Sequence, residues 1–364
     1  MKSCPLFLRG LGLLLALAFV AKANTPSDPV GSLLLRLRGG SDTIVSLPLL
    51  PSPFFECAID SSVSNQLQLV DYTPALPPGG AYVLVMTGTL AGAVLPLTGA
   101  TTFTLTVNTG PYDLTTLKTE FANGTGQGDL AALVPYWTLD TLFPGGANLY
   151  VTTSLSSIQS QVLMYSSSVT GINLSPTATY FYYAGDGSYA AGWYNAATMT
   201  PAGSTQIPPN QYFIVRQPVG SADTQLLVTG AVQMATSRVS VATLSPNQKQ
   251  DNYVALPNPF PVTLGSSLLT DSGAFQPTTN LLAVKDELLV FDNTQIGQNK
   301  SASAVYLYFA GNGSVAAGWY LFGNMSHSVP SVTLNPGEGY IIRKAATTTP
   351  QNYFWTLLPD YLQP

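Results

Sequence analysis

An all-β protein with two related β-sandwich or barrel-like modules is the fold that this 364-residue sequence predicts. Three observations carry it. Residues 161–194 align without gaps to residues 287–320, and 16 of the 34 positions are identical, so the chain contains an internal duplication. Aromatic and β-branched runs such as Thr179–Tyr183 and Val305–Phe309 suit a pleated surface. Finally, 32 Gly and 28 Pro separate short apolar runs along the whole chain, the punctuation of strands joined by turns.

From the N-terminus, Lys2 and Arg9 precede an uninterrupted apolar run at residues 11–20, and the small-x-small site Ala21-Lys22-Ala23 follows. That order reads as a secretory signal peptide, with an apolar run too short for a permanent span. Cys4 lies ahead of the run, where an acylated lipoprotein cysteine does not sit. Cleavage after Ala23 removes Lys2, Arg9 and Lys22 but no acid, which takes the net charge from −5 to about −8. It also leaves Cys57 as the single cysteine, so no intramolecular disulfide is expected.

The first module then spans residues 24–235 and the second residues 236–364. Asp42–Pro48 resembles Asp251–Pro257 at an offset of 209, whereas the later segments match at an offset of 126. The offsets differ by 83 residues, so the first module carries an insert of about that length, placed at about residues 60–150. Within it, Ala81–Met86 and Thr101–Val107 read as strands, and Leu114, Leu117 and Phe121 recur at the spacing of a short helix from Asp113 to Phe121. Residues 72–112 carry no charge, but Pro, Gly and Thr interrupt them too often for a membrane span.

Each aromatic run of the duplication is followed by Ala-Gly-(Asp/Asn)-Gly-Ser and then Ala-Gly-Trp-Tyr. The glycines read as hairpin turns that need positive φ. A dinucleotide cradle would need a helix after them, and a strand follows instead. Asp186 is replaced by Asn312 in the second copy, and no series of acids around it offers the oxygens that Ca²⁺ requires. Trp193-Tyr194 and Trp319-Tyr320 have two readings. Core packing is the expected role, and a flat platform on which sugar rings stack is the alternative. Arg216 and Arg343 stand at matching strand ends, where an intramodule bond to a carbonyl or carboxylate is expected and a ligand carboxylate is the alternative.

Other chemistry is constrained by composition. A pI near 4.7 and charged residues at only 9% argue against nucleic-acid binding. One His and two Cys leave no thiolate or imidazole metal centre, and no cofactor is expected. His327 would have to serve any Ser-His-Asp site, yet no Gly-x-Ser-x-Gly elbow occurs, and it reads as a solvated loop residue. Cys57 reads as a small strand residue. Asp286 and Glu287 are adjacent, so on a strand they face opposite sides and cannot act as a carboxylate pair.

Ser41–Pro48, Val134–Asp140, Asp251–Pro257, Glu287–Asp292 and the two Ala-Gly-Trp-Tyr hairpins, in their arrangement along the chain, resemble a family of secreted bacterial β-rich proteins of uncharacterised function. The resemblance covers most of the chain after the leader. It implies export from a Gram-negative-type cell, to the periplasm, the outer surface or the medium, and a non-catalytic role. It implies no catalytic residues.

The expected function is that of an exported, non-enzymatic protein with a structural, adhesive or cell-surface role. Two alternatives stand beside it: a carbohydrate-binding module using Trp193, Tyr194, Trp319 and Tyr320, and a carboxylate-dependent glycan hydrolase. The expected partners are a polysaccharide or cell-envelope surface, or further copies of the chain. Nucleic acid is not among them, and no integral membrane span is expected after cleavage.

Overall fold

The computed structural model describes residues 29–70, 75–120 and 128–362. The expected leader, with Lys2, Cys4 and Ala21–Ala23, lies outside them, as do residues 121–127. The described chain is almost entirely antiparallel β, as expected. Its first unit opens with β1 (Val30–Leu37) and β2 (Asp42–Ser46). Then come β3 (Phe55–Val63), β4 (Gln66–Leu69), β5 (Ala81–Val85), β6 (Val94–Ala100), β7 (Leu105–Val107) and β8 (Leu130–Pro135). The unit resumes with β9 (Trp137–Thr138), a helical turn α1 (Leu139–Leu142), β10 (Gln161–Met164), β11 (Ala178–Tyr183) and β12 (Gly192–Asn195). It ends with β13 (Gln206–Ile207), β14 (Tyr212–Arg216) and β15 (Thr224–Ala231).

The second unit runs β16 (Ser237–Thr243), β17 (Gln250–Ala255), β18 (Val262–Thr263), a 3₁₀ turn at Leu264–Ser266, β19 (Glu287–Val290) and β20 (Ala304–Phe309). It closes with β21 (Gly318–Leu321), β22 (Thr333–Leu334), β23 (Gly339–Lys344) and β24 (Gln351–Leu357).

The two units share one topology. The main sheet of the first has the order β12-β11-β10-β14-β2, and that of the second β21-β20-β19-β23-β17. Two-stranded ribbons recur likewise, β1 with β15 against β16 with β24, and β9 with β13 against β18 with β22. Each unit also enters its helical turn through a threonine cap: Thr138 Oγ1 accepts from the Thr141 N–H, and Thr263 Oγ1 from the Ser266 N–H.

Between β2 and β9, strands β3 to β8 close into a six-stranded barrel in the order β3-β4-β7-β6-β5-β8. Val83, Val85, Leu95, Leu105, Ala131 and Leu133 are among the side chains that pack its interior. Tyr82, Leu84, Ala132 and Val134, on the opposite faces of β5 and β8, are buried in a separate cluster with Leu50 and Tyr136. Burial on both faces explains why these two strands are continuous apolar runs, whereas β16 alternates buried and open positions. The helix expected from Asp113 to Phe121 is corrected over residues 113–119, where Leu114–Thr116 forms a 3₁₀ turn and residues 117–119 are not helical; Phe121 lies outside the described residues. Asp113 caps the turn through the Thr115 N–H, and buried Leu114 and Leu117 serve the barrel core.

Candidate functional site

Trp193 and Tyr194 are neighbours on β12 and therefore point to opposite faces of the sheet. Trp193 is 2% exposed and enters the main core of the first unit, 5.9 Å from Phe143 and edge-on to Tyr182 at 5.8 Å. Trp319 repeats this at 3% exposure, 4.8 Å from Phe275 and 5.5 Å from Tyr308. Tyr194 and Tyr320 are buried on the other face, and each hydroxyl donates to a carbonyl of the preceding loop, Ala190 O and Ala316 O, at 2.9 Å. The stacking platform is thus corrected. No ring face of these four side chains is open to a sugar, because strand pairing carries them into two layers of core. Truncating Trp193 to Ala should cost about 3–5 kcal/mol in urea unfolding, the range for deleting a buried large aromatic. A variant as stable as the parent would return the ring to the surface.

The loops ahead of these strands are wider than tight two-residue turns. Gly185 and Gly187, and Gly311 and Gly313, hold φ between 85° and 90°. Asp186 Oδ1 accepts the Ser188 and Tyr189 N–H groups, and Asn312 Oδ1 the equivalent Ser314 and Val315 groups. One Asx geometry serves both loops, which explains how Asp and Asn interchange there.

Arg216 and Arg343 each meet an aspartate across a strand pair, as the bond to a carboxylate anticipated. Arg216 Nε and Nη2 hold the two oxygens of Asp42 at 2.7 and 2.8 Å, and Arg343 holds Asp251 at 2.7 and 3.0 Å. The carboxylates are nearly sealed, with side-chain exposures of 3% and 0%. These hydrogen bonds hold both guanidinium groups above their ordinary pKa, against the effect of burial.

Sequence reasoning did not foresee what completes the pairs. Arg216 Nη2 also donates to Asn299 Oδ1, and the Asn299 N–H donates to Asp42 Oδ2, although Asn299 belongs to the second unit. In exchange, Arg343 Nη2 donates to Asn173 Oδ1, and the Asn173 N–H to Asp251 Oδ2, although Asn173 belongs to the first. The two asparagines are left-handed, with φ of 53° and 54°. Gly171 and Gly297, two residues earlier, have φ of 118° and 152°. A usable signal was present: Gly-x-Asn is identical in both copies, at 171–173 and 297–299.

The exchange closes both sheet edges. On β2 the N–H groups of Asp42, Ile44 and Ser46 donate to Gly297 O, Asn293 Oδ1 and Gly337 O of the second unit. On β17 those of Asp251 and Ala255 donate to Gly171 O and Asn210 O of the first. Exposed strand edges recruit other chains, and here each unit covers the other's. Ile44, Tyr212, Tyr253, Leu289 and Ile341 form the apolar seam between the sheets, where Tyr165 stacks on Tyr253 at 4.4 Å.

Beside this seam lies a cavity of about 420 Å³ lined by Asp42, Arg216, Tyr165, Tyr253, Asn299 and Lys300, among others. Its charged groups are already engaged. Asp42, Arg216 and Asn299 hold one another, and Lys300 Nζ donates to Asp292 O and Gln295 O at 3.1 and 3.2 Å. Burial pushes the Lys300 ammonium below its ordinary pKa.

The remaining acids and the lone imidazole fall elsewhere. Asp286 and Glu287 do face apart: Asp286 is sealed against Lys344, while Glu287 lies 3.7 Å from Lys249 and 4.0 Å from Arg343. His327 is exposed in the loop after β21, and Cys57 sits half-buried on barrel strand β3. Among the described residues, no group of three or more His, Cys, Asp and Glu side chains comes together, and no helix is long and apolar enough to cross a membrane. No family model, no curated protein and no solved structure matches the chain.

Proposed function

We propose that this is an exported, non-enzymatic protein with a structural or adhesive role at the cell surface, built from a duplicated β-unit. The observation that carries the reading is the use made of the recurring side chains. Trp193 and Trp319, Tyr194 and Tyr320, and Arg216 and Arg343 all serve cores, loops and the union of the two units. Repetition has preserved architecture here. The leader at residues 1–23 and the low charge of the chain support export and a surface that works through hydrogen bonds. The shared strand order supports the duplication.

Fractionation of the producing cells, with sequencing of the protein's N-terminus, tests this. The reading expects protein that starts after Ala23 in the periplasm, on the outer surface or in the medium. Protein found in the cytoplasm with residues 1–23 attached would overturn it.

A further inference from the structure

Arg36, Arg38, Arg216 and Arg343 each lie within ion-pairing distance of an aspartate. Arg238 is the described arginine that does not. It stands on β16, where the barrel meets the second unit. One Nη2 hydrogen goes to Thr89 O of the barrel at 2.9 Å, the guanidinium lies 5.5 Å from the Phe354 ring centre, and its Nε–H is buried without an acceptor. The barrel reaches this point through Gly92, where an added Cβ would come within 2.3 Å of Thr236 O.

Arg238 lines a cleft of about 330 Å³ where barrel, first unit and second unit converge. Among the described residues that line it there is no carboxylate. The acids next to lining residues in the chain are already engaged, Asp113 with the Thr115 amide and hydroxyl and Asp251 with Arg343 and the Asn173 N–H. The walls supply amides and hydroxyls from Asn210 and Gln211 of the first unit and Ser240 and Asn352 of the second. Tyr112 of the barrel adds an aromatic wall, stacked on Phe354 at 5.0 Å.

We propose that this cleft binds a small hydroxyl-rich carboxylate, a sugar acid, with Arg238 taking the carboxylate and the amide walls taking the hydroxyls. A part-buried guanidinium without a counter-charge favours an anion. Neutral amides match sugar hydroxyls, and the volume suits one or two rings. The inference goes beyond the architectural reading and uses none of the recurring Trp, Tyr and Arg side chains on which that reading rests.

Titration calorimetry on the purified protein at fixed ionic strength tests it, with sodium glucuronate, glucose and sodium acetate as probes. Saturable glucuronate binding is expected, with glucose and acetate weaker by about tenfold or more. Arg238→Gln should weaken glucuronate about tenfold. Ser240→Tyr fills the cleft from an exposed strand position, should leave the fold intact, and should abolish binding. That variant carries the test where the Arg238 substitution loosens the barrel. The proposal is overturned by absence of glucuronate binding up to about 10 mM. Equal affinity for glucose or acetate, or undiminished binding by folded Ser240→Tyr, would overturn it as well.

Discussion

Replacing Asp286 by Ala should cost about 3–5 kcal/mol of stability, because it strands a buried ammonium. Lys344 is 0% exposed and pairs with Asp286, which is sealed equally well. Lys344 Nζ also donates to Ala274 O at 2.8 Å and lies 4.0 Å from the Tyr353 ring centre. Asp286 in turn accepts the N–H groups of Gln276 and Ala345 at 2.7 and 2.9 Å. Burial pushes the lysine below its ordinary pKa, and the carboxylate opposes that shift. At the matching positions of the first unit stand Ser160 and Gln217, a neutral pair in which the Ser160 hydroxyl donates to Gln217 Oε1. One fold thus solves one buried site in two ways. The double substitution Asp286→Ser with Lys344→Gln should therefore lose much less than the two single losses combined, with a coupling energy of about 2 kcal/mol or more in urea unfolding. Additive losses would contradict the idea that the pair is exchangeable as a unit.

Replacing Arg343 by Met should also cost about 3–5 kcal/mol, by leaving Asp251 sealed without its cation. The loss should appear at a distance in sequence. Asn173 holds both Arg343 and Asp251, so the loop at residues 166–177 of the first unit should become the site of faster proteolysis, although the substitution is in the second. Arg343→Lys should recover little, since an ammonium cannot span both carboxylate oxygens and Asn173 as the fork does. Unchanged cleavage of that loop in a destabilised variant would show that the exchange is incidental.

Much of this was legible in the repeat. The aligned segments located β10 to β12 and β19 to β21, and the recurrence of Trp, Tyr and Arg singled out the side chains on which each unit rests. Barrel closure was not legible, because β5 and β8 are buried on both faces and lose the alternation that tells a sheet which side is inward. The short helix was overread for a related reason: Leu114 and Leu117 are apolar because they serve the barrel core, and Asp113 caps only a single turn. The trans contacts of Asn173 and Asn299 escaped because a repeat pairs each residue with its own copy, whereas these bonds cross to the other unit over as many as 257 residues. Asp286 and Lys344 escaped because their counterparts, Ser160 and Gln217, are of different chemical types, so the alignment gave no reason to pair them.

Amide hydrogen exchange on the intact protein tests the central claim, that the two units seal each other's sheet edges. The N–H groups of Asp42, Ile44 and Ser46 on β2, and of Asp251 and Ala255 on β17, have their acceptors in the opposite unit. They should exchange as slowly as the amides of the central strands β10 and β19. Exchange at the rate of exposed loop amides would mean that the edges are open and the reciprocal union does not hold.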